Sequence, residues 1–503
     1  MPTHLPAAPA PAPGRSAAWA RTADRRRYWG RLLPSLAALA VVTRLPSFRR
    51  PVWNPDEGYL ATQARILAAG GRLYTTVVDR KPPLLPWLYR ACFAVFGDRS
   101  LWPVRVLALL AGLATAVLLA HLARRRHGER AGWVAGVLAL TASVGLNPQD
   151  AQAALFEVFM LPWAVAAFVC ADHRRWGAAG LCAAAAALTR QTGAVALLPV
   201  ACLLLRTVPG LAPRTAAAGR VAAGFALPLL AAAASTSPAG FLFWTVSGSG
   251  TYLFSTAGLA VALGRAAGNA ALLAAGSAGL LWPALRRPRA APAEVRWWLG
   301  GALLGVTLGL HFFGHYYLEL VPPLVLLAAA ALSRLPARTA TTALVLGGVS
   351  CTAFLTWGLL TQPSWLRHSE EVAHAVRART APGEAVWLWG MHPEQYWLAD
   401  RPPATRFLTA GLLTNHAGGR PAATVGAAYG VPGSWDVLRA ELRTHPPRLV
   451  VDDSLGQAYG PRRVPELRHL LRGYHRVGSV GGAVLYALTP EEGQADRGHS
   501  KAP

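Results

Sequence analysis

Apolar runs of roughly 17–22 residues recur along this chain, separated by short arginine-rich or Pro/Gly-rich breaks. A run of that length crosses about 30 Å of hydrocarbon as a helix. The pattern predicts spans at about 31–47, 102–121, 131–147, 153–171, 177–189, 192–206, 219–236, 262–284, 298–313, 318–333 and 340–360. That makes eleven crossings and an α-helical polytopic membrane protein. The alanine-rich stretch 177–206 reads as one span or two. After about residue 361 the pattern changes. "EEVAHAVRART", "PEQYWLAD", "SWDVLRAELRTH" and "VPELRHLLRGY" read as helices, and "AVWLWG", "RLVVDDS" and "GGAVLYALT" as strands. Their alternation predicts a small α/β domain at 361–489.

Charge orients these spans. Only 15% of residues are charged, against about 25% in soluble proteins. The formal net charge of +25 comes from arginines clustered in short loops: 124–130, 172–176, 206–220, 286–296 and 333–338. The alternate loops near 147–153, 237–260 and 313–318 hold no Lys or Arg. By the positive-inside rule the N-terminus is cytoplasmic and the C-terminal domain extracytoplasmic. The positive charge is therefore topological and implies no nucleic-acid partner. The Arg/Ala/Gly-rich composition fits a high-GC bacterium, hence the plasma membrane. Five scattered cysteines suggest neither a metal site nor a disulfide framework. Residues 1–30 read as a disordered basic tail, 31–360 as the membrane domain and 490–503 as a polar tail. "GSGTY" (248–252) is too short to carry a nucleotide site.

The first outer loop, 48–101, holds the candidate chemistry. Leu60, Ala64 and Leu67 lie at helical spacing, ended by Gly70-Gly71. "PLLPWLYRACFAVFG" reads as a second interfacial helix. Asp56 and Glu57 follow the first span. Carboxylates near hydrocarbon are costly and usually functional, although "NPDEG" also suits a helix cap. Lys81, in "DRKPPLLPW", is one of two lysines in the chain. Prolines hold that segment extended, and an ammonium is a compact charge suited to a phosphate oxygen.

"DEGY", "KPPLLPWLY" and "GHYYLELVPPL" (314–324) together resemble the GT-C glycosyltransferases that use polyprenyl-phosphate sugars. The families are the protein O-mannosyltransferases, the lipid A aminoarabinose transferase and RgtA-like enzymes. The resemblance spans about 31–335. It implies an inverting transferase that moves a sugar from a polyprenyl-phosphate donor to a hydroxyl on a lipid, glycan or protein. Asp56 would be the base and Glu57 its alternative or support. Lys81, with Arg80 and Arg190, would bind the donor phosphate. In the aminoarabinose transferase pattern an acid precedes Lys-Pro-Pro, whereas Arg80 stands here. A metal site using that acid is not carried over; no cofactor is certain, and a divalent metal stays open.

Other polar residues of the outer half are substrate-binding candidates. Asp150 and Glu157 lie about two helical turns apart, on one face of the fourth span. Arg190 in "TRQT" suits phosphate or a snorkelling role. His315 suits a sugar or phosphate contact, and Tyr316 fits either that role or an aromatic belt. In the C-terminal region Asp452, Asp453, His392, Glu394, Trp387 and Trp389 read as structural. Two rivals stand: a transporter or lipid flippase, which would place polar groups at the bilayer midplane, and a non-catalytic envelope scaffold.

Overall fold

The computed structural model describes residues 15–248, 259–416 and 421–489. The expected tail at 490–503 and nearly all of 248–252 lie outside the described residues. Helix α1 (Arg15–Arg44) begins well before the expected first span and runs on through Pro34. A short 3-10 turn leads to α2 (Pro55–Ala68), and an irregular segment then leads to α3 (Leu84–Phe96). Next come α4 (Trp102–His127), α5 (Glu129–Ala142), the single turn α6 (Pro148–Ala151), α7 (Phe156–Asp172), α8 (Trp176–Thr189), α9 (Leu197–Thr207) and α10 (Leu211–Ser235). Further helices cover Leu259–Gly276, Ala278–Arg286, Ala293–Thr307, Val321–Leu332 and Ala337–Leu360.

Among the described residues, five helical stretches are long and apolar enough to cross a membrane. They fall on α4, α10, Leu259–Gly276, Gly314–Leu332 and the stretch opening at Ala337. Other expected spans are built from shorter helices: α5 and α8 have 14 residues each and α9 has 11. The 177–206 stretch is two helices, because the backbone turns extended at Arg190 (φ −153°, ψ 137°) before a 3-10 turn. Small residues bring neighbours close. A Cβ on Gly180 of α8 would sit 2.2 Å from the Val221 carbonyl oxygen of α10, so the two backbones touch there.

The C-terminal region forms a four-stranded sheet in the order β1-β2-β4-β3. Strands β1 (Val386–Trp389) and β2 (Leu449–Asp452) are parallel, with Val386 opposite Leu449. Strand β4 (Ala483–Leu488) runs antiparallel to β2 and to β3 (Tyr474–Val480). Trp387 and Trp389 are buried in its core, as their spacing suggests. Strand β3 has no counterpart among the expected elements. It is a mostly exposed edge strand and lacks the apolar alternation by which strands are recognised.

Packing does not stop at residue 361. Leu67, Leu73, Tyr74, Val77 and Val78 of the first loop share one core with the strands. Trp397 stacks on Phe93 of α3 at 5.5 Å and lies under the Arg65 guanidinium at 4.1 Å. Arg65 also pairs with Asp400 at 2.8 Å. Gly58 of α2 abuts the main chain of Glu394: a Cβ there would lie 2.5 Å from its Cα. The first loop is thus held between the helical bundle and the sheet.

Candidate functional site

Asn54 caps α2. Its side chain accepts from the Asp56 N–H at 2.9 Å, and Pro55 fills the first helical position, where no donor is needed. The cap role therefore falls to Asn54, and both acids are left in the first helical turn. They then diverge. Glu57 is fully buried and paired with Arg105 at 2.7 Å. Its oxygens also accept from the Trp53 and Ala154 N–H groups, each at 2.8 Å. Every side of that carboxylate is occupied. Asp56 is partly exposed. Among the described residues, nothing hydrogen-bonds or ion-pairs with its carboxylate.

Two helical turns further along α2, Gln63 donates to Asp79 at 2.9 Å. Asp79 is an acid the sequence reading passed over, one residue upstream of the position where the family pattern has one. It is buried, and burial raises its carboxyl pKa against the opposing pull of Gln63 and Lys81. Lys81 follows on a pinned backbone: its carbonyl accepts from Tyr74 Oη at 2.9 Å, and that of Arg80 from Gln191 Nε2 at 2.6 Å. The Lys81 ammonium sits 5.3 Å over the Phe156 ring. Burial and the nearby Arg190 charge lower its pKa to about 8, opposed by Asp79, Asp56 and Glu319. Those charges place Asp56, Asp79, Lys81 and Arg190 in one electrostatic neighbourhood. The Arg80 side chain is partly buried and lies near enough to Tyr59 to act on its hydroxyl.

Arg190 is buried at the break between α8 and α9. It pairs with Glu157, and with Glu319 at 3.2 Å, and its guanidinium lies 4.1 Å over Tyr316. Glu319 also accepts from Thr192 Oγ1 at 2.6 Å. Glu319 too was missed: within "YLEL" it carries no signal of its own, and only the fold brings it to Arg190. Asp150 and Glu157 do not share one helix face, because residues 152–155 separate α6 from α7. They converge through His315 instead, with Nδ1 at 2.8 Å from Asp150 Oδ1 and Nε2 at 3.9 Å from Glu157 Oε1. Tyr316 is buried and edge-on to His315.

The C-terminal candidates form a separate group beyond the ends of β1 and β2. His368 pairs with Asp453 at 2.7 Å and His392 with Glu394 at 3.0 Å. Ser369 donates to Glu394 and Gln395 to Asp453, each at 2.6 Å. Asp452 bonds the Ser454 N–H at 3.1 Å. Among the described residues, no three or more His, Cys, Asp or Glu side chains are grouped to hold a metal ion.

Residues 80–234 match the profile of the dolichyl-phosphate-mannose-protein mannosyltransferase family. No curated protein matches the sequence. Among solved structures, ArnT from Cupriavidus metallidurans in the apo state aligns with a TM-score of 0.63 at 16% identity, over 93% of this chain and 100% of that one. The same protein bound to undecaprenyl phosphate aligns with a TM-score of 0.61 at 17% identity, over 92% and 99%. The archaeal oligosaccharyltransferase AglB from Archaeoglobus fulgidus, in complex with an inhibitory peptide and a dolichol-phosphate, gives 0.51 at 13% identity, over 93% and 74%. By its fold this chain is similar to ArnT and AglB over more than nine-tenths of its length, and within it residues 80–234 match the mannosyltransferase family.

Proposed function

We propose that the protein transfers a sugar from a polyprenyl-phosphate donor to an acceptor hydroxyl at the extracytoplasmic face of the plasma membrane. The observation that carries this reading is the Asp56 carboxylate. It has no partner among the described residues, yet it shares its surroundings with a partly buried lysine. Support also comes from the likeness to ArnT bound to undecaprenyl phosphate. Asp56 takes the acceptor proton as the oxygen attacks the anomeric carbon. The isoprenyl phosphate leaves, and Lys81, with Arg80 and Arg190, stabilises its growing charge. One displacement inverts the anomeric centre. Glu57, occupied on all sides, fixes the first turn of α2 and so aims its neighbour. The acceptor is a lipid, glycan or protein, and the sheet region stands close enough to α2 to border its path.

The test is transfer of labelled sugar from polyprenyl phosphate by purified protein. Wild type should turn over, while Asp56→Asn and Lys81→Ala should not. Wild-type rates in both variants would refute the assignment.

A further inference from the structure

Glu157 is 1% exposed, yet its Oε2 has no hydrogen-bond partner among the described residues. A buried carboxylate oxygen left unpaired is costly and calls for a donor. Besides Arg190, His315 stands close, its Nε2 3.9 Å from Glu157 Oε1 and beyond hydrogen-bond reach. Asp150 Oδ1 engages the other ring nitrogen at 2.8 Å and so holds the ring in place. An open carboxylate oxygen and an imidazole edge therefore stand side by side.

Aromatic rings frame them. His311, Phe313 and His315 form a ladder of near-parallel rings, each step 5.7 Å. The segment leading into it is left-handed at Gly309, Leu310 and Phe312 (φ 81°, 52° and 48°), a backbone that bulky residues rarely adopt. Strain of this kind persists where a site requires it. Gly314 lets the chain pass Asp150, since a Cβ there would lie 2.4 Å from Oδ2.

We propose that Glu157 and His315, the latter held by Asp150, form the subsite for the donor's sugar ring. They receive neighbouring ring hydroxyls and reject an acidic sugar. This rests on the function proposed above. Glu157 also pairs with Arg190, so the subsite adjoins the place proposed for the donor phosphate. That is where a sugar joined through a single phosphate must lie. A uronic acid would bring its carboxylate against Glu157, Asp150 and Glu319, and would be repelled.

The test is equilibrium binding to full-length protein in lipid nanodiscs. The probes are undecaprenyl phosphate, its neutral pentosyl and hexosyl derivatives, and its glucuronosyl derivative. Wild type should bind at least one neutral sugar lipid about tenfold more tightly than undecaprenyl phosphate, and the glucuronosyl lipid no more tightly. Those figures are what hydrogen bonds to charged groups typically contribute. His315→Gln should remove that advantage and leave undecaprenyl phosphate binding unchanged, whereas Glu157→Gln should remove it while binding undecaprenyl phosphate no less tightly, because Arg190 loses a competing carboxylate. The subsite is overturned if wild type binds every neutral sugar lipid and undecaprenyl phosphate equally. It is also overturned if it favours the uronic acid, or if the variants lose both lipids alike. Undecaprenyl phosphate binding that ignores Lys81→Ala would instead refute the proposed function.

Discussion

The Glu57 carboxylate and the Arg105 guanidinium meet at 2.7 Å with both side chains almost wholly removed from solvent. Among the described residues, Asp56, the residue before, has no such bond. Glu57→Gln should therefore destabilise the protein by about 3–5 kcal/mol, the usual result of leaving one member of a buried pair unmatched. Asp56→Asn should move the melting temperature little and cut turnover by at least about a hundredfold. Melting curves set beside initial rates separate the two. Equal losses of stability would show the roles to be wrongly divided.

Lys81 gives two pH effects of opposite sign. Its pKa of about 8 means the ammonium is lost as pH rises through that value, so affinity for a polyprenyl phosphate should fall above it and be level below. An unfolded lysine keeps its proton to about pH 10.4. Between those values unfolding takes up a proton, so this residue makes stability rise with pH. Lys81→Arg should flatten both trends, because the guanidinium stays charged. Binding isotherms and thermal melts across that range check each sign.

Asp79 is the strongest of the charges that favour the Lys81 ammonium. Asp79→Asn keeps an oxygen for Gln63 but removes that charge. The midpoint of the binding–pH curve should move downward, and affinity well below the midpoint should change little. An unmoved midpoint would mean that the two side chains do not communicate.

Gly58→Ala places a methyl group against the Glu394 main chain, where the neighbour is backbone and has little freedom to yield. The expected cost is about 1–3 kcal/mol. Turnover should fall as well, because Asp56 lies on the same helical turn. Protease sensitivity of the C-terminal region should rise with it. An alanine variant as stable and active as wild type would show that the close approach at Gly58 is not needed.

Much of the scaffold was readable along the chain because burial follows period. Leu60, Ala64 and Leu67 predicted α2, and all three are buried in it. The tryptophans of β1 gave away a core strand. Asp56 and Lys81 stood out by residue type and by their surroundings in one short loop. Asp79, Glu319 and the meeting of Asp150 with Glu157 did not, because their significance lies in contacts between distant segments. His315 and Asp150 are far apart in sequence and meet only through the turn at 309–312. Strand β3 escaped notice because an exposed edge carries no apolar rhythm. The length of individual helices was also hidden. Arg190 breaks a continuous apolar stretch, and hydropathy does not register a change of backbone angle.

The contact between Gly58 and Glu394 has a consequence for biosynthesis. The ribosome delivers α2 early and the Glu394 segment that braces it only much later. Until that late segment emerges, the turn bearing Asp56 lacks one of its supports. The nascent protein can insert its helices and meet lipid well before its Asp56-bearing loop is set. A chain truncated ahead of Glu394 should enter the membrane and remain inert.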